Sequence, residues 1–194
     1  MKNILHDGSV KLFNIPNSIS ISRIFADIAL FGAVAFNSEK VFTFIFIYCA
    51  ASDFLDGFIA RLFHQKTPTG AFLDSMADFG MFGGAVLGLF FFKHDFISEN
   101  YRPIIVLLTI ELIKIFYSFI RYGKLSSFHT YSSKIAFIFS SIFIILLFTG
   151  RYYGWLFLIS ISFAIIATIE DILLMMVLPE WDNNKKGLFW ILRK

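Results

Sequence analysis

The sequence is poor in charge and almost devoid of cysteine. Only 16% of its residues are Asp, Glu, Lys or Arg, against 57% hydrophobic, a balance not expected of a soluble globular domain of this size. The single cysteine, Cys49, excludes an intrachain disulfide, and its place within an apolar run reads as a small core hydrophobe. No basic patch interleaved with aromatics is present, which argues against nucleic acid as a partner. The small formal charge of +3 suits anionic lipid headgroups better. There is no internal repeat and no low-complexity linker, and the apolar runs are too many and too long for a cleavable leader ahead of a globular remainder.

What the chain has instead is long apolar runs and 27 phenylalanines, read as lipid-facing and packing bulk. Runs of roughly 18–25 apolar residues match the hydrocarbon thickness of a bilayer. The expected fold is therefore an all-α integral membrane protein, one domain over residues 1–194, with six transmembrane helices. The spans fall at about 19–36, 41–63, 70–92, 103–122, 134–148 and 155–178. A short amphipathic helix over 1–14 is expected to lie in the membrane interface. Pro16 and Asn17 should interrupt the chain, with Ser18 or Ser20 capping the first span. Residues 93–102 and 123–133 read as polar loops, and the closing GLFWILRK as a second interfacial segment. Most lysines and arginines fall on one side, and Lys40, Lys93, Arg102 and Arg151 alone on the other. The positive-inside rule then makes both termini cytoplasmic, in a membrane that is expected to be the cell (inner) membrane.

Against this apolar background stands SDFLDGFIARLFHQKTPTGAFLDSMAD, residues 52–78. A charged side chain at the centre of a membrane helix costs roughly 2.5–3.5 kcal/mol on insertion scales, so its four aspartates need a cation, a function, or both. Asp53, Asp56, Gly57 and Ala60 stand at i, i+3, i+4 and i+7, one helical face. Asp74 and Asp78 share a face of the next helix. The short polar turn around Pro68 makes the two helices an antiparallel hairpin, whose acids converge near the cytoplasmic leaflet. Carboxylates that close cannot all ionise without positive charge among them. An all-oxygen set suits magnesium, manganese or calcium, and the absence of His and Cys from these faces argues against zinc. The competing reading, a structural ion-pair cluster with Arg61 and Lys66, leaves the fixed spacing unexplained.

Asp53-x2-Asp56-Gly57-x2-Ala60-Arg61-x8-Gly70-x3-Asp74-x3-Asp78 resembles the signature of the CDP-alcohol phosphotransferase family (CDP-alcohol phosphatidyltransferases, class I). A chance match at those fixed positions has a probability on the order of 10⁻¹⁰. Pro16-Asn17 followed by Ser22-Arg23 is similar to the family's opening segment, and six spans is its usual number. The resemblance implies an enzyme of phospholipid biosynthesis that moves a phosphatidyl group from CDP-diacylglycerol to a small polar alcohol and releases CMP. It implies two divalent ions, Mg2+ or Mn2+, held by Asp53, Asp56, Asp74 and Asp78, with Asp78 also the catalytic base. Asn17, Ser18, Gly57, Arg61 and Thr67 are its implied contacts to the CDP group, and a homodimer its implied assembly.

The acceptor stays open between glycerol 3-phosphate, serine and inositol types. NIPNSISISR is similar to the glycerophosphate branch. The Ser after Asp74 is similar to the serine and inositol branches, and SSFHTYSSK stands where the glycerophosphate branch carries more lysine. A CDP-choline or CDP-ethanolamine type acting on diacylglycerol is one alternative. A cation or proton transporter is another, although the acids lie near one leaflet rather than at the midplane usual for transporters. Glu111 and Lys114 read as an intramembrane ion pair, and Glu170 and Asp171 as cavity-lining or paired acids.

Overall fold

The computed structural model describes residues 15–62, 68–123, 128, 130–178 and 187–192, with the side chains of 15, 16, 56–62, 68, 69, 71 and 192 outside the description. The expected interfacial helix over 1–14 lies outside the described residues. Seven helices are described and no strand among them: α1 (Ile15–Ala35), α2 (Glu39–Leu62), α3 (Pro68–Phe92), α4 (His94–Tyr122), α5 (Tyr131–Phe148), α6 (Gly154–Val177) and the short α7 (Leu188–Leu192). Among the described residues, five segments are long and apolar enough to cross a membrane: Asn17–Ala35, Phe72–Phe92, His94–Tyr122, Tyr131–Phe148 and Gly154–Val177. Helix α2 has 24 residues but carries Glu39, Lys40, Asp53, Asp56 and Arg61, and is not among the five. Large apolar side chains stand exposed along the helices, Phe36, Phe44 and Ile120 among them. A surface of that kind faces hydrocarbon rather than water, and the chain is an integral membrane protein.

Local chemistry sets the helix ends, and two expectations are corrected. Pro16 does not break the chain. It sits in the first turn of α1, where its missing N–H has no helical partner to lose. Ser18 and Ser20 therefore lie inside α1 rather than at its cap. Residues 94–102 are not a loop either. They form the opening turns of α4, which kinks at Asn100 (φ −119°, ψ 19°), three residues before Pro103. Proline disfavours helical geometry just ahead of it and frees a carbonyl, and the Asn100 side-chain amide donates to the Phe96 carbonyl at 3.0 Å. Gly123 closes α4 at φ 67°, the left-handed turn that glycine adopts without penalty. Thr130 caps α5, its hydroxyl accepting from the Ser133 N–H at 3.2 Å.

Packing divides the bundle into two groups of three. Helix α1 lies along both α2 and α3, which touch each other only slightly. The expected α2–α3 hairpin is thus a three-helix group with α1 as its wedge. Two glycines of α3 permit the close approach: a Cβ on Gly80 would come within 2.7 Å of the Asp27 carboxylate, and one on Gly88 within 2.3 Å of the Phe42 ring. Small residues serve membrane helices in this way, since close van der Waals packing takes the place of a hydrophobic driving force. In the second group α4 and α5 both pack on α6, around Phe96, Phe143, Phe157 and Ile161. Phe148 of α5 joins the groups by inserting into the first core, its ring centroid 4.8 Å from that of Phe42.

Candidate active site

Three of the four signature aspartates come together. Oxygens of Asp53, Asp74 and Asp78 all lie within 4.8 Å of one another. Asp53 comes from the last third of α2, and Asp74 and Asp78 from successive turns of α3, so the i, i+4 spacing does what a shared face requires. Asp56, Gly57 and Arg61 belong to α2, but their side chains lie outside the described residues, as does Thr67 altogether.

The cation among these acids is Arg23 of α1. Its Nη1 stands 2.7 Å from Asp53 Oδ1 and 3.0 Å from Asp74 Oδ1, and its Nη2 2.9 Å from Asp78 Oδ1. One planar guanidinium can meet several carboxylates because its donors spread in a fixed fork. The Arg23 side chain is fully buried, whereas those of Asp53, Asp74 and Asp78 are 22%, 24% and 34% exposed. The cation thus backs the cluster from inside the bundle while the acids present an open side. Among the described residues the partner of these acids is Arg23; Arg61 and Lys66, named in the competing reading, lie outside the description of side chains.

One turn further along α1 lies Asp27, 4% exposed. Its Oδ1 receives a long contact from the Cys49 thiol at 3.6 Å, and its Oδ2 has no hydrogen-bond partner. Sequence reasoning passed over Asp27 and assigned Arg23 only to the opening segment and to the cytoplasmic charge bias. The available signal was their i, i+4 spacing inside an apolar span. Of the expected CDP contacts, Asn17 is buried at the start of α1 and Ser18 is exposed.

A cavity of about 290 Å³, lined by Asp78 among others, lies between the two helix groups. Its far walls are mostly Phe, Leu and Ile, but Glu111, Ser133, Thr168 and Asp171 also line it. Behind Glu111 stands Lys114, with Nζ 2.6 Å from Glu111 Oε2 and 4.0 Å from Asp171 Oδ2. The intramembrane ion pair expected from spacing is therefore present, and Asp171 extends it. Glu170 faces elsewhere: it accepts from the Ser132 hydroxyl and from the Leu188 N–H at 2.8 Å, tying α6 to α5 and α7.

The donor set fits a hard divalent cation. Three carboxylates converge on an open side with no soft ligand among the described residues, and the structure already supplies positive charge at their centre. All-oxygen carboxylate sites of this kind take magnesium, manganese or calcium.

Comparison with known proteins points the same way. Residues 13–166 match the family described as CDP-alcohol phosphatidyltransferase. The chain is similar to a CDP-diacylglycerol–glycerol-3-phosphate 3-phosphatidyltransferase of Pseudomonas fluorescens, 43% identical over 34% of this chain and 35% of that protein. It is also similar to the protein so described in Haemophilus influenzae, 34% identical over 52% of this chain and 55% of the relative. A third relative is a CDP-diacylglycerol–inositol 3-phosphatidyltransferase of Arabidopsis thaliana, 31% identical over 55% of this chain and 43% of that protein. The chain thus spans about half or less of the length of these relatives. No solved structure matches it.

Proposed function

The chain belongs to the CDP-alcohol phosphatidyltransferase family, and we propose that it transfers the phosphatidyl group of CDP-diacylglycerol to the hydroxyl of a small polar acceptor, releasing CMP. The observation that carries this reading is the convergence of Asp53, Asp74 and Asp78 on one open side, with Asp78 also lining the cavity. Asp78 is the one acid of the three in reach of both regions where reactants would sit.

In this reading Asp53, Asp56, Asp74 and Asp78 hold two divalent ions, Mg2+ or Mn2+, and Asp78 faces the acceptor. The ions, when bound, supply the positive charge that offsets the diphosphate and the departing oxygen. The Asp78 carboxylate takes the proton of the acceptor hydroxyl. The acceptor oxygen bonds to the lipid-bearing phosphorus as the bond from that phosphorus to the bridging oxygen breaks. CMP leaves with that oxygen and its electron pair. Arg23 keeps the three carboxylates gathered, and its burial fixes their spacing from behind. Asn17, Ser18, Gly57, Arg61 and Thr67 are the proposed contacts to the CDP group, with Arg61 suited to bidentate phosphate contact. Helix α2 would span the membrane with the other five, making six, in a single domain whose site faces the cytoplasm of the inner membrane. A homodimer is the proposed assembly.

The test is incubation of purified protein with labelled CDP-diacylglycerol and a hydroxyl acceptor, following CMP and the lipid product. We expect no CMP release in chelator and recovery with magnesium or manganese. Undiminished release after thorough metal removal would count against the two-ion scheme.

A further inference from the structure

We infer that the acceptor taken by this cavity is a small hydroxyl compound carrying an ammonium group, and not a phosphate ester. The inference rests on the reading above, in which the acceptor hydroxyl meets Asp78, and it names the acceptor's class.

The wall chemistry is the argument. Three carboxylates line the cavity, Asp78, Glu111 and Asp171, and hydroxyls such as those of Ser133 and Thr168 stand beside them. Among the described lining residues there is no lysine, arginine or histidine. The nearest ammonium, Lys114, is set back and already engaged with Glu111 at 2.6 Å and Asp171 at 4.0 Å. Asp78 is itself engaged with Arg23 at 2.9 Å, so Glu111 and Asp171 are the acids that face Lys114. Two carboxylates, Glu111 and Asp171, therefore share one ammonium at this part of the cavity. Asp171 makes the excess concrete: the residue is 4% exposed, it lines the cavity, and its Oδ1 has no hydrogen-bond partner. A buried acceptor atom without a donor is costly to leave unmet.

A phosphate ester placed here would bring two further negative charges among carboxylates, with no described lining cation to receive them. Like charges at such separations, in a site with little water, repel strongly. An ammonium brings one positive charge and three donors. It can satisfy Asp171 Oδ1 and share Glu111 while the hydroxyl of the same small molecule reaches toward Asp78. The apolar remainder of the wall offers a small charged molecule nothing, so the carboxylate end is where it sits.

The experiment uses the full chain in lipid nanodiscs with CDP-diacylglycerol and magnesium. It ranks kcat/KM for L-serine, ethanolamine, myo-inositol and glycerol 3-phosphate. We expect serine or ethanolamine to lead by on the order of tenfold or more. A lead by glycerol 3-phosphate or inositol overturns the inference while leaving phosphatidyl transfer intact. Thermal stabilisation by CDP-diacylglycerol with no transfer to serine or ethanolamine also overturns it. If CDP-diacylglycerol neither stabilises the protein nor yields CMP with any of the four, the transfer reading itself fails. Asp171→Asn and Glu111→Gln should each raise the KM for the ammonium acceptor by about tenfold and move the KM for CDP-diacylglycerol far less. Equal movement of both constants would assign these acids a structural role. The ranking on the unaltered protein decides the matter even where a variant does not fold.

Discussion

The two three-helix groups each bury an ionic cluster, and they do so differently. In the first, a guanidinium that is itself fully buried meets three acids that are partly exposed. In the second, a lysine meets two acids, and all of them lie well inside the bundle. Arginine distributes its charge over a planar fork, while lysine concentrates it at one atom. The first arrangement leaves an open edge of carboxylate that can take further cations. The second leaves an inward-facing edge that only a molecule entering the cavity can reach. In the proposed reading the contrast separates two tasks in one bundle, holding the charged donor at the partly exposed acids and receiving the small acceptor in the cavity.

The contrast can be tested by removing its parts in turn. Asp78→Asn takes away the acid common to the cluster and the cavity. CMP release should fall by about 10²–10⁴-fold, while thermal stabilisation by CDP-diacylglycerol is retained. Unimpaired release would show that the two groups do not meet functionally at this residue. Arg23→Gln leaves three carboxylates facing one another; because they are partly exposed, the cost falls below the roughly 3–5 kcal/mol of breaking a fully buried pair. The unfolding midpoint should drop, and added magnesium should raise it more in the variant than in the parent, because an ion would supply the missing positive charge. Equal stabilisation of both proteins by magnesium would mean that Arg23 and the metal do not share the same acids. Gly88→Ala should weaken the first group and its joint with Phe148 by about 1–3 kcal/mol through overpacking, since the new methyl meets the buried Phe42 ring. Gly32→Ala, with nothing within 4 Å of the added atom, is its control, and thermal unfolding compares the two. The smallest effect belongs to Glu170→Gln, which weakens the hydrogen bonds to Ser132 and Leu188. A loss of about 1 kcal/mol should show as faster proteolysis beyond residue 178 with CMP release little changed.

Much of this was readable in the chain because membrane helices advertise themselves by composition and length. The third, fifth and sixth expected spans agree with the described helices to within a few residues. The acids at positions 53, 74 and 78 converge as their helical spacing requires. What sequence could not supply was the partner. Arg23 lies 30 residues before Asp53 and 55 before Asp78, and no local periodicity connects a residue on α1 to acids on α2 and α3. Asp27 was missed for the same reason: its surroundings come from α2 and α3 through Cys49 and Gly80. The helical opening of α4 was misread because His94, Asp95, Ser98 and Glu99 look like a loop when polarity alone is weighed. Their backbone is helical all the same, up to the kink that Pro103 imposes.

Arg23 also bears on how the protein is made. Synthesis runs from the N-terminus, so this arginine enters the bilayer before any of the three acids that later surround it exists. The acid already available is Asp27, one helical turn away, and an i, i+4 pairing of opposite charges eases the passage of both. Once α2 and α3 follow, the guanidinium meets the aspartates as well, and the Cys49 thiol comes to 3.6 Å from Asp27 Oδ1. The nascent chain would then reach its mature arrangement without waiting for an ion from the cytoplasm.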